Sequence, residues 1–135
     1  MSDSTKNKTV LIVDDAPENV TILAELLSEF NIKVATNGEK ALKIIAQSAQ
    51  IDLILLDVIM PGIDGFEVAA KLKENPITAK IPIIFVTGEK DVKSFIKGFK
   101  LGAEDYIQKP FDTTVILFTV LSHKYIHSYL HYPCS

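Results

Sequence analysis

Five polar residues in this chain stand at the ends of short strand-like runs, and their types suggest one chemistry. Asp14 and Asp15 follow Thr9-Val-Leu-Ile-Val13, Asp57 follows Leu53-Ile-Leu-Leu56, Thr87 follows Pro82-Ile-Ile-Phe-Val86, and Lys109 follows Asp105-Tyr-Ile-Gln108. Runs of this length and composition read as strands, the fully apolar ones buried on both faces, so the residue at each end emerges where strand gives way to loop. Three carboxylates gathered in one crevice repel one another and would hold protons or loosen the loops that carry them. A hard divalent cation relieves that repulsion, and Mg²⁺ suits it because it takes oxygen ligands, keeps several waters and pairs carboxylates with a substrate phosphate. A carboxylate beside such an ion can attack a phosphoryl group and form an acyl phosphate. Catalysis of that step is mostly positioning and charge neutralisation. Lys109 offers a positive point charge to one phosphoryl oxygen, and the Thr87 hydroxyl can donate to another.

Each residue also has a plainer reading. Asp14 and Asp15 suit the cap of a helix opened by Pro17. Asp57 and Thr87 can be turn residues at strand ends, and Lys109 a solvated loop charge.

The elements that must position these groups alternate. After the strand at Thr9–Val13, apolar residues Val20, Leu23, Leu26, Leu27 and Phe30 recur at helical spacing between Glu18 and Phe30, with Asn31 as a stop. A short strand over Ile32–Thr36, a turn at Asn37-Gly38 and a helix from about Glu39 to Ala49 come next. The strand ending at Asp57 leads through Pro61-Gly62 and Asp64-Gly65 into a helix that Pro76 ends. Pro82–Val86 is the fourth strand, and a Lys-rich helix from about Asp91 to Leu101 stops at Gly102. Asp105–Gln108 is the fifth strand, and a last helical pattern runs from Thr113 to about His131. Five strands joined by crossover helices imply an α/β fold: a doubly wound five-stranded parallel sheet with helices on both faces. All strand C-terminal tips then share one edge, where such sheets keep their ligands.

At 135 residues the chain fits one domain. The expected organisation is a flexible N-terminus at 1–8, a domain at 9–131 and a tail at 132–135. A net charge of −3 argues against a nucleic-acid surface, and since every basic residue is Lys, bidentate Arg recognition of phosphate is excluded. The lone Cys134 has no internal disulfide partner, which suits a reducing compartment. No apolar run reaches the length of a membrane span, so the expectation is a cytoplasmic protein without membrane contact.

The motifs Val13-Asp14-Asp15, Leu56-Asp57-Val58 with Met60-Pro61-Gly62 and Asp64-Gly65, Val86-Thr87, and Tyr106-Ile-Gln-Lys109-Pro110-Phe111 together resemble the receiver domain of two-component response regulators, from about Thr9 to about Tyr125. The resemblance implies the flavodoxin-like (βα)5 fold. It implies that Asp57 is phosphorylated by a partner histidine kinase or phosphotransfer protein. It also implies that Asp14, Asp15, Asp57 and the backbone carbonyl of Ile59 bind Mg²⁺, and that Thr87 and Lys109 hold the phosphoryl oxygens. By the same likeness the bond before Pro110 is cis, and Tyr106 is a switch whose ring turns inward as Thr87 moves, remodelling helix 4, strand 5 and helix 5. Such a module is a signalling switch and no enzyme beyond its own phosphorylation and dephosphorylation. Tyr106 has the plainer reading of a half-buried strand aromatic. Gly88 stands where the family commonly has another small residue, and Ile59 and Glu89 occupy positions that border the hydrolytic water in the family.

His123, His127 and His131 share a face of the last helix, which suits either a metal or, more simply, a solvated stripe near a helix C-terminus. That helix is apolar on more than one side, which implies a second partner such as a dimer mate or an output segment. Two rival functions remain. An aspartyl phosphohydrolase of the haloacid-dehalogenase type needs a general acid two residues after its nucleophile, where this chain has Ile59. A flavodoxin-like ligand binder shares the fold, but Asp14-Asp15 would repel an anion where a Gly-rich phosphate loop should be.

Overall fold

The computed structural model describes residues 7–47, 50–88, 92–109 and 112–122. Strand β1 (Thr9–Val13) is buried along its whole length, as its β-branched and leucine residues require, and it lies inside the sheet. In chain order there follow α1 (Pro17–Leu26), β2 (Asn31–Ala35), α2 (Gly38–Gln47), β3 (Leu53–Leu56), α3 (Gly65–Glu74), β4 (Ile83–Thr87), α4 (Val92–Lys100), β5 (Asp105–Gln108) and α5 (Thr113–Ser122). All strand pairings are parallel, in the order β2-β1-β3-β4-β5. The order reverses between β1 and β3, which opens a crevice at their C-terminal ends.

Alternation along the strands divides the core into two layers. Val10, Ile12, Leu53, Leu55, Ile84 and Val86 face Leu23 and Leu27 near α1 and Ile116 and Val120 of α5. Leu11, Val13, Ile54, Leu56 and Phe85 face Ala41 and Ile45 of α2 and Phe66, Val68, Ala69 and Leu72 of α3. The expected doubly wound sheet with helices on both faces is therefore the observed one.

Two boundaries differ from the sequence expectation, the first because strand pairing outweighs local preference and the second because proline lacks a donor. Helix α1 ends at Leu26, short of Phe30, and Asn31 opens β2 where a helix stop was expected. Its N–H donates to the Lys8 carbonyl at 2.9 Å, which sets β2 in register with β1 from Thr9 and Asn31 onward. Strand β4 begins one residue after Pro82, which has no N–H to donate, and includes Thr87 as a buried strand residue. Helix α5 is described to Ser122; the expected continuation to His131, with His123, His127, His131 and Cys134, lies outside the described residues.

Helix α3 is joined to β3 unusually tightly. Asp64 accepts from the Glu67 N–H at 2.8 Å, and the Glu67 carboxylate accepts from the Asp64 N–H at 2.9 Å, a complete capping box. The Gly65 N–H donates to the Val58 carbonyl at 2.8 Å, and a Cβ on Gly65 would lie 2.2 Å from the Asp57 carbonyl oxygen and 2.9 Å from the Val58 Cα. Only glycine fits there. Gly65→Ala is expected to lower unfolding free energy by about 1–3 kcal/mol through overpacking. Gly88→Ala, where a Cβ would meet nothing within 4 Å, should stay within about 0.5 kcal/mol of wild type. Urea denaturation of the two variants makes the comparison.

Candidate functional site

The backbone register brings Asp14 and Asp57 side by side. Val13 pairs with Leu56, the Asp57 N–H donates to the Val13 carbonyl at 2.9 Å, and the Asp14 N–H donates to the Ala35 carbonyl at 3.1 Å. On the other side, Thr87 pairs with Gln108 and its carbonyl accepts from the Lys109 N–H at 2.9 Å. These ladders carry the Lys109 side chain across the crevice. Its Nζ lies 2.8 Å from Asp14 Oδ2 and 3.1 Å from Asp57 Oδ2, joining carboxylates from two strand tips.

The remaining carboxylate oxygens have backbone partners. Asp14 Oδ1 accepts from the Ala16 N–H at 2.9 Å, and Asn19 Nδ2 approaches Asp14 Oδ2 at 3.5 Å. Asp57 Oδ1 accepts from the Ile59 N–H at 3.3 Å. Asp14, Asp57 and Thr87 are buried, whereas Asp15 is exposed. The residue at the N-cap of α1 is Ala16, with no side-chain cap, and Pro17 follows it. Asp14 and Asp15 are therefore not the helix cap; the Asp14 carboxylate is turned to Lys109 instead.

The electrostatics follow from this crowding. Burial pushes the Asp57 carboxyl above its ordinary value and the nearby Asp14 charge raises it further, while Lys109 and the Thr87 hydroxyl only partly counter them. For Lys109, burial opposes the charged form, but its bond to Asp14 and the charges of Asp57 and Asp14 outweigh this and raise its pKa. One ammonium is shared by Asp14 and Asp57, with Asp15 beside them, so negative charge is left over. Asp14, Asp15 and Asp57 each offer an oxygen, all within 4.8 Å of one another, and the exposure of Asp15 leaves the cluster open to water. Hard oxygen donors with an open side fit a divalent cation that retains waters.

Tyr106 lies on β5 opposite Phe85, half-buried, with its ring centroid 5.8 Å from that of Phe85 and its hydroxyl oxygen buried. The Ile59 side chain points outward and is 61% exposed, so only its backbone belongs to the site. Glu89, Pro110, with the expected cis bond, and Phe111 lie outside the described residues. The sequence reading overlooked the Ala16 amide and Asn19 beside Asp14. A polar residue in the first turn of the helix after a double aspartate was the available signal.

Residues 10–120 match the model of the response regulator receiver domain. The chain belongs to that family. It is 43% identical over 116 residues to a probable cyclic di-GMP phosphodiesterase of Vibrio cholerae, covering 85% of this chain and 26% of that protein. It is 40% identical over 115 residues to response regulator PleD of Caulobacter vibrioides, covering 84% of this chain and 25% of that protein. The chain thus spans about a quarter of the length of these curated relatives. Its fold is similar to the crystal structure of a putative response regulator from Chloroflexus aurantiacus, with a TM-score of 0.82 at 32% identity over 90% of this chain and 99% of that one. It is a receiver domain of the two-component type, a signalling module with a flavodoxin-like α/β fold. Its Asp14, Asp15 and Asp57 form an acidic cluster able to hold a divalent metal. Among the described residues, no helix is long and apolar enough to cross a membrane.

The raised Asp57 carboxyl has a stability consequence. Its protonated form favours folding, a contribution fully present below the unfolded carboxyl value and lost as pH rises through the raised folded value. Asp57→Asn removes the charge and leaves Lys109 paired with Asp14. In chelator at pH 7 the variant is expected to have a higher urea midpoint than wild type. The gap should close as pH falls into the ordinary carboxylate range, in denaturation curves taken across pH 3.5 to 7.

Proposed function

We propose that Asp57 is the phosphoacceptor of this receiver domain and that its donor is a phosphohistidine on a histidine kinase or phosphotransfer protein. An Asp57 carboxylate oxygen attacks phosphorus, the P–N bond to the imidazole breaks, and the leaving nitrogen regains a proton. The observation that carries this reading is Lys109 seated between Asp14 and Asp57 beside buried Thr87, all at one sheet edge. Lys109 orients a phosphoryl oxygen by its charge, and the Thr87 hydroxyl donates to another. Asp14, Asp15, Asp57 and the Ile59 carbonyl would hold Mg²⁺, which supplies neutralisation of the charge on the phosphoryl oxygens. The module acts as a switch and catalyses only its own phosphorylation and dephosphorylation.

Tyr106 is the element that reads the state of the site, because it pairs with Phe85, which lies two residues before Thr87 on the same face of β4. The output surface is α4, β5 and α5. Ile96, Phe99, Val115 and Phe118 leave large apolar side chains exposed there, which supports contact with a second copy or an output domain. Residues 9–131 are the receiver unit, working in the cytoplasm without nucleic-acid or membrane contact of its own.

Incubation with a small acyl phosphate and Mg²⁺ is expected to add one phosphoryl group, seen by intact mass. Asp57→Asn should abolish the addition, and label that persists in this variant would refute the assignment. Lys109→Met is expected to slow phosphoryl uptake by about 10²-fold, the typical cost of losing one preorganised charge-stabilising donor.

A further inference from the structure

Helix α2 opens on a glycine, Gly38, that has no positive φ to require it. Its neighbours do require it. A Cβ at position 38 would lie 2.6 Å from Cγ1 of Ile63 and 2.7 Å from Cγ2 of Val68, closer than side-chain atoms approach, so one partner would have to move. Val68 is fully buried in α3, and Ile63 packs against the same core from the loop between β3 and α3. The start of α2 is itself secured, since Asn37 Oδ1 accepts from the Lys40 N–H at 2.8 Å and Ala41 and Ile45 are buried. A second contact stands beside the first. The Glu39 carboxylate oxygens lie 3.0 and 3.1 Å from where a Cβ on Gly62 would project, and Gly62 has a φ of +80°. The ends of this loop are tied together by the Gly65 N–H on the Val58 carbonyl, 2.8 Å away, while Gly62 and Ile63 meet α2.

We propose that the first turn of α2, through Gly38 and Glu39, braces the loop from Val58 to Asp64 and so holds the Ile59 peptide in place for the divalent cation. The brace itself is a packing arrangement, and its role in metal binding rests on the reading of the Ile59 carbonyl as a ligand. The Ile59 side chain is 61% exposed and gives its own peptide little anchorage, so the fixing has to come from the rest of the loop. Ligands to a metal are oriented by the groups packed behind them, and losing such support commonly costs about 10- to 100-fold in affinity. Gly38, Glu39 and Ile63 act through the loop and are positioning residues.

The test uses Gly38→Ala, which puts a methyl group into the contact, and Gly38→Ala with Ile63→Val, which moves one methyl group across it and keeps the volume. In the full chain, a Mg²⁺ titration followed by NMR amide shifts should give a dissociation constant raised about tenfold in Gly38→Ala and largely restored in the double variant. Without metal, hydrogen exchange at the amides of Ile59, Met60, Gly62 and Ile63 should be several-fold faster in the single variant and return toward wild type in the double. A Gly38→Ala chain that loses stability yet binds Mg²⁺ as wild type does, or a loss of affinity that Ile63→Val does not recover, overturns the brace. Should Gly38→Ala not fold, Ile63→Ala removes the loop's half of the contact and is expected to show the same weaker binding and faster exchange; wild-type values there overturn the brace as well. If Mg²⁺ leaves the amides of Asp14, Asp57 and Ile59 in the wild-type chain unshifted, the metal-site reading fails by itself. Exchange then decides the brace alone, faster in Gly38→Ala upholding it and unchanged refuting it.

Discussion

The burial of like charges at adjacent strand tips is the constraint from which the rest of this structure follows. Asp14 and Asp57 are held side by side by the pairing of β1 with β3, where neither can swing into water to relieve the repulsion. Lys109 makes the arrangement tolerable, and it does so across two further strands, since its backbone is fixed by Thr87 and its ammonium reaches Asp14. A buried ion group of this kind adds little net stability, because desolvation consumes most of the attraction. Its value is chemical. A carboxyl with a raised pKa, as at Asp57, is more basic than an ordinary one, and its ionised oxygen is correspondingly the better nucleophile. The excess negative charge that Lys109 leaves behind is what makes a divalent cation welcome at the same place.

The parts legible in the sequence are those that depend on local pattern. Apolar runs ending in Asp14, Asp57 and Thr87, and the short strand-like run before Lys109, announced strand tips, and the alternation of strands with crossover helices then required a shared edge. Lys109 meets Asp14 and Asp57 at 2.8 and 3.1 Å, and the Thr87 hydroxyl bonds toward Asp57. What stayed hidden depends on pairing in three dimensions. Asn31 carries the features of a helix stop, yet it opens β2 because its N–H meets Lys8. Asp14 carries the features of a cap, yet the cap position falls to Ala16. The last helix conceals its inner face because apolar residues occupy several sides; only packing in the fold separates buried Ile116 and Val120 from exposed Val115 and Phe118.

Two glycines show how the same physics operates on either side of Phe85. At Gly65 a missing Cβ lets the first residue of α3 rest on the carbonyl of Asp57, so the helix start is packed directly on the Asp57 backbone. At Gly98 a missing Cβ lets α4 approach Phe85 and Tyr106. Between them lies a continuous aromatic contact, Phe66 on Phe85 and Phe85 on Tyr106, with Lys97 returning to Phe66. Close-packed groups of this kind do not deform gradually; they exchange one packing for another. A displacement of a few tenths of an ångström at Asp57 therefore has few places to dissipate before it reaches α4. Tyr106, half-buried with its hydroxyl oxygen enclosed, ends that contact on β5.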